Sequence, residues 1–170
     1  LKVFAKIFLK ADELARSYPD TVATIGQVTV FPGGTNIIPE TVEFTLDLRS
    51  IDEEIRNEVE SKIISYAEEV CKQDQITMNV STLQRIQPVL CSQEIQEKIE
   101  ASCRQLHIDP MKLPSGAGHD AMQFHDICPI GMIFVRSQNG LSHNPLEYSS
   151  KEDCALGTHL LYDVVAKLAS

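Results

Sequence analysis

From the second residue onward, apolar side chains recur every three or four positions. Val3, Phe4, Ile7, Phe8, Ala11, Leu14 and Ala15 share one broad helical face. The spacing predicts a helix over residues 2–16, broken by Tyr18-Pro19-Asp20. Residues 22–31 are rich in β-formers, and a turn-rich connection from Phe31 to Glu40 holds Gly33, Gly34 and Asn36 between Pro32 and Pro39. The period then changes to two. Val42, Phe44, Leu46 and Leu48 alternate with Glu43, Thr45, Asp47 and Arg49, the pattern of a strand with one polar face. Ser50 and Glu53 stand at capping-box spacing. The helix they introduce is expected to bury Ile55, Val59, Ile63, Tyr66 and Val70, and Ile76, Met78 and Val80 alternate as a third strand. This α-β-β-α-β order is a ferredoxin-like sandwich lacking its first strand, the one expected to precede residue 1.

The second half has a different rhythm. Ser92 is placed to cap a helix carrying Ile95, Ile99 and Leu106. Met111 to Pro114 reads as a short strand, and Gly116 to Asp126 as a turn entering a helix. Cys128 to Val135 is nearly all apolar, the pattern of a strand buried on both faces of a parallel sheet. A loop follows, then Ser149 and Glu152 at capping-box spacing, and a last helix over residues 150–169. The order α-β-α-β-α is an open α/β layer. The fold class is therefore α/β, an α+β domain over residues 1–87 joined near Pro88 to part of an α/β layer over residues 88–170.

Charge narrows the partners. The 170 residues carry 24 acids against 15 bases, a formal charge of −9. No basic block offsets it, which argues against nucleic acid or an anionic membrane as partner. Cys71, Cys91, Cys103, Cys128 and Cys154 form no CxxC pair, as expected for reduced thiols in a cytoplasmic protein. No apolar run approaches the ~18 residues of a membrane span. Lys2, Lys6 and Lys10 interrupt the opening stretch too often for a signal peptide. The chain does not begin with Met, so a start inside a longer protein is expected.

Two stretches invite chemistry. "GAGHDA", Gly116 to Ala121, fits a dinucleotide fingerprint formally, but the next strand ends "FVRS" without the acid that pattern needs. Two glycines at a turn still let a ligand approach backbone N–H groups, a favourable place for a carboxylate or a developing oxyanion. The competing reading is a tight turn capped by Asp120. "QNGLSHNPLE", residues 138–147, sets His143 among turn-formers with Glu147 four positions on, and Pro145 between them argues against a helix. His143 is either an idle loop residue or a ligand perched at the carboxyl edge of a sheet. Arg49 can clamp a carboxylate and Asn36 can donate to a carbonyl, although Arg49 paired with Asp47 or Glu43 is the commoner arrangement. His107, His125 and His159 have no evident partner.

Three ordered stretches, "VTVFPGGTNIIPETVEFTLDLRS", "LPSGAGHDAM" and "PIGMIFVRSQNGLSHNPLEYSSKED", together resemble the carbamoylase and allantoate amidohydrolase branch of the dinuclear-metal aminoacylase/carboxypeptidase-like hydrolases. The resemblance implies a catalytic domain holding two divalent metals, zinc or manganese, and an inserted lid that makes a homodimer. It implies a metal ligand at His143; Glu147 is a candidate to orient that ligand or to help neutralise the site. It implies substrate contacts at Asn36, Arg49, Gly118 and His119. Substrates would be N-carbamoyl amino acids or ureido acids, cleaved by water to amino acid, ammonia and carbon dioxide. The family's other metal ligands, its general base and the first lid strand have no counterpart here. The resemblance is therefore to a C-terminal part, expected to be inactive alone. The alternatives are a dinuclear aminopeptidase or aminoacylase, and a non-catalytic dimerisation module.

Overall fold

The computed structural model describes residues 1–169. The chain divides into two compact units, one spanning Leu1–Pro88 and one beginning at Val89. In the first, helix α1 (Lys2–Arg16) buries Val3, Ile7, Ala11 and Ala15, a stripe with a strict four-residue step. Phe4 and Phe8, expected on that stripe, flank it instead. Phe4 meets Phe44 edge-on with ring centroids 4.9 Å apart, while Phe8 stays exposed. Strands β1 (Thr21–Phe31) and β2 (Thr41–Ser50) pair antiparallel from Thr21↔Ser50 to Phe31↔Thr41, with a register irregularity between Thr24 and Gln27. Helix α2 (Glu53–Gln73) buries Val59, Ile63, Ala67, Val70 and Cys71. Ala11, Val59 and Ile63 form one cluster, over which Ala23, Leu46 and Leu48 of the sheet pack.

The cap of α2 differs from the expected Ser50–Glu53 box. Asp52 caps it, accepting from the N–H groups of Glu54 at 2.8 Å and Ile55 at 3.2 Å. Ser50 is the last residue of β2, and its hydroxyl instead accepts from Asp52 N–H at 3.2 Å. At the far end of the helix, Asp74 accepts from Lys2 and Lys6 of α1. The expected third strand, around Ile76 to Val80, forms no ladder. A strand exists only as a hydrogen-bonded pair, and none of the described residues pairs with this segment. Met78 packs beside Val3, Ile7 and Val70, while Ile76 and Val80 stay exposed. Beyond it, Arg56 donates to Ile86 O, and Arg85 reaches Glu60 at 2.6 Å, which ties the segment back to α2.

In the second unit, helices α3 (Gln93–Gln105) and α4 (Lys151–Leu168) pack through Cys103, Leu160 and Val164, with Ile99, Leu106 and Ile133 around them. Lys167 crosses between them, donating to Ser102 Oγ at 2.9 Å and Asp163 Oδ2 at 2.6 Å. Ser92 stands at the start of α3, but its hydroxyl makes no cap, and its backbone N–H donates to Ile130 O at 2.8 Å. The cap of α4 is Ser150 rather than Ser149. Its hydroxyl accepts from Asp153 N–H at 3.0 Å and donates to the Asp153 carboxylate at 2.7 Å. The carboxylate thus accepts from the cap hydroxyl, whereas the expected capping box would have had Glu152 accept from the backbone N–H of the cap residue.

Neither expected strand of the second half, 111–114 nor 128–135, forms a ladder among the described residues. Phe134 and Val135 are exposed rather than buried on both faces. The chain is a mixed α/β structure of four α-helices and one two-stranded antiparallel sheet among the described residues. No helix among them is long and apolar enough to cross a membrane.

Ile63 is 3% exposed at the centre of the first core, so Ile63→Ala should destabilise the first unit by about 2–5 kcal/mol. Leu9→Ala, at a site 66% exposed, should stay within about 0.5 kcal/mol. Urea denaturation monitored by circular dichroism measures both.

Candidate functional site

The loop carrying His143 is built by hydrogen bonds within itself. Gln138 N–H donates to Tyr148 O at 2.7 Å and closes its base. Asn139 and Gly140 turn the chain with φ of 58° and 66°, a region in which asparagine and glycine are tolerated best. Asn144 then bends the chain before Glu147, its side chain accepting from Leu146 N–H at 2.9 Å and its carbonyl from Glu147 N–H at 2.8 Å. His143 itself has φ of 54°. A non-glycine residue in this left-handed region carries strain of order 1 kcal/mol or more and persists only where its surroundings enforce it.

Here the enforcement comes from Glu147. Its Oε2 accepts from the His143 backbone N–H at 2.8 Å. The sequence reading offered Glu147 as a partner of the imidazole or a counter-charge, and the structure gives it a backbone contact. The imidazole is on the exposed side of the loop.

The glycine turn is built differently from the expected helix entry. His119 leads into a 3-10 turn, Asp120–Phe124, rather than an α-helix. Its N–H meets Met122 Sδ at 3.5 Å and its carbonyl accepts from Met122 N–H at 2.9 Å. Ser115 Oγ lies 2.8 Å from His119 Nε2. Sequence reasoning passed over Ser115, since a serine beside glycine is ordinary turn chemistry. A Cβ added at Gly116 or Gly118 would meet nothing within 4 Å, whereas one at Gly157 would stand 2.6 Å from Val135 Cγ2. Packing within the chain accounts for Gly157 and leaves the space beside Gly116 and Gly118 open.

Asn36 and Arg49 belong to the first unit. Asn36 is exposed in the turn between β1 and β2. Arg49 Nε and Nη2 donate to the two Asp47 oxygens at 2.8 Å and 2.7 Å. The Arg49 hydrogen bonds hold the Asp47 carboxyl below the usual carboxylate range, and Asp47 in turn pushes the guanidinium further up. The structure brings His143 to Glu147, His119 to Ser115 and Arg49 to Asp47. Among the described residues, no three His, Cys, Asp or Glu side chains converge on a point able to hold a metal ion. A catalytic zinc takes about three protein ligands and a water, so the residues present do not amount to such a site.

The model of the peptidase family M20/M25/M40 matches residues 6–167. The chain belongs to this family. A relative from Geobacillus stearothermophilus, an N-carbamoyl-L-amino acid amidohydrolase, is 49% identical over 165 residues, covering 97% of this chain and 40% of that protein. The ureidoglycolate hydrolase of Arabidopsis thaliana is 34% identical over 151 residues, covering 88% of this chain and 32% of the relative. Among solved structures, AtUAH in complex with glyoxylate matches with a TM-score of 0.87 at 32% identity, over 98% of this chain and 40% of that one. A hydantoinase/carbamoylase family amidase from Burkholderia multivorans matches with a TM-score of 0.90 at 22% identity, over 95% and 40% of the two chains, a likeness of fold alone. The chain thus spans 32–40% of the length of these relatives.

Removing the carboxylate should release the left-handed residue. Glu147→Ala is expected to speed hydrogen exchange of the His143 amide and move its backbone shifts out of the left-handed range. Glu147→Gln, which keeps an acceptor oxygen, should preserve both. Amide exchange by NMR is the measurement, and an unaltered His143 amide in Glu147→Ala would refute the contact.

Proposed function

We propose that this chain is part of a metal-dependent amidohydrolase that cleaves linear C–N bonds of N-carbamoyl amino acids or of allantoate-like ureido acids. The observation that carries the proposal is His143, held in a left-handed backbone by the Glu147 carboxylate at 2.8 Å, in a chain 49% identical to an N-carbamoyl-L-amino acid amidohydrolase. Strain of this kind concentrates where a side chain must be aimed. In this reading His143 contributes one ligand to a divalent metal site, zinc or manganese, completed by residues outside this chain. Arg49 receives the substrate carboxylate with its planar fork. Asn36 donates to the substrate carbonyl. Gly118 leaves room for the substrate against the backbone, and His119 hydrogen-bonds it. The chain alone, holding one ligand, is inactive. The strand and helix from Thr41 to Val70 belong to a lid through which two copies associate. The protein works in the cytoplasm on a small molecule.

A full-length enzyme carrying this sequence should release ammonia from N-carbamoyl-L-amino acids or ureido acids and leave dipeptides intact. The 170-residue chain should release none. In the full-length enzyme, His143→Ala should remove at least one metal equivalent by mass spectrometry and nearly all turnover, with the circular dichroism spectrum kept. Turnover of dipeptides instead would favour the aminopeptidase alternative, and His143→Ala with full metal content would remove His143 from the ligand set.

For the lid, sedimentation of the chain at micromolar concentration should show a dimer. A monomer that is well folded at that concentration counts against association through this unit.

A further inference from the structure

The Ser115 hydroxyl has three neighbours. Its Oγ accepts from Ala117 N–H at 3.2 Å, lies 3.3 Å from Ala117 O, and lies 2.8 Å from His119 Nε2. Ser115, Ala117 and His119 are all half-buried, between glycines that are exposed. A hydroxyl offers one proton and two lone pairs. The Ala117 N–H takes one lone pair, which leaves one lone pair and one proton for His119 Nε2 and Ala117 O. When Nε2 carries hydrogen, it donates to Oγ and the hydroxyl proton turns to Ala117 O. When Nε2 is bare, the hydroxyl donates to it. The first arrangement serves the protonated ring and one neutral tautomer, and the second serves the other tautomer. Rotation about a single C–O bond exchanges them. Ser115 therefore stays bonded to the ring in every protonation state, while Met122 holds the backbone of the same residue.

We propose that Ser115 is a positioning residue for His119, its hydroxyl gripping the imidazole by Nε2 across the glycine turn so that the ring meets substrate in one orientation whether neutral or charged. The proposal rests on the amidohydrolase reading, in which His119 contacts the substrate. A chain labelled with nitrogen-15 on its histidine rings tests the grip directly. In Ser115→Ala the His119 ring nitrogen shifts and tautomer ratio should change across the titration, while those of His107, His125, His143 and His159 stay as they were. Ser115→Thr, which keeps the hydroxyl, should restore the original spectrum. In the full-length enzyme, Ser115→Ala should lower kcat/KM about five- to tenfold, the worth of one neutral hydrogen bond. It should alter the pH profile, and Ser115→Thr should recover both. Unchanged ring nitrogens in Ser115→Ala overturn the proposal. So does a changed ring with unaltered kcat/KM, because the hydroxyl then orients a ring that substrate does not meet. The amidohydrolase reading fails separately, when the unsubstituted enzyme hydrolyses none of the carbamoyl and ureido substrates.

Discussion

Every backbone N–H and C=O group must find a partner, and the way this chain meets that demand shapes all of its parts. Helices satisfy it locally, and four of them form as their apolar periodicity requires. Strands satisfy it only through a neighbour. β1 and β2 have each other and make a ladder. The segments around Met78, Leu113 and Ile133 have apolar composition but no pairing neighbour among the described residues, and they form no sheet. The loop of His143 takes a third route, with side-chain oxygens of Asn144 and Glu147 accepting from backbone N–H groups. The His143 loop is thus the place where side chains, rather than a ladder or a helix, satisfy the backbone.

This explains what was legible in advance. The helices were readable because their hydrogen bonds lie within the segment, and the four-residue step of Val3, Ile7, Ala11 and Ala15 is written in the sequence. The β1–β2 pair was readable from the alternation of Val42 to Arg49 and from the turn-rich connection over residues 32–40 that joins the strands. The caps were placed within one or two residues. Ser50 and Asp52 both satisfy cap propensities, and only the point where β2 ends decides between them. The strand at Cys128 to Val135 was misjudged because an apolar run reports a tendency to be covered and says nothing of whether the covering neighbours are within reach.

The site was legible as residue types and less so as contacts. Glu147 was offered as a partner of the His143 ring or as a counter-charge, and its contact is with the His143 backbone; the sequence could not distinguish a bond to the ring from one to the backbone. That distinction depends on the sign of φ at residue 143, which no residue type at that position announces. Ser115 was missed because serine beside glycine is ordinary turn chemistry, and its reach to His119 appears only once the turn is folded. Arg49 was read as either a clamp or a surface partner, and the Asp47 contact makes it at least the second.

That contact has a consequence for recognition. A carboxylate arriving at the Nε–Nη2 edge of Arg49 finds it already occupied by Asp47, tethered two residues away. Binding there is an exchange of one carboxylate for another, against a competitor whose tethering gives it an effective concentration on the order of millimolar or more. Such an exchange changes little in net charge pairing, so its free energy depends on fit rather than on attraction. An anion that cannot reproduce the two-pronged geometry of a carboxylate gains nothing by displacing Asp47. If Arg49 receives a substrate carboxylate as proposed, the internal ion pair would act as a filter on shape, turning away stray anions without any steric wall.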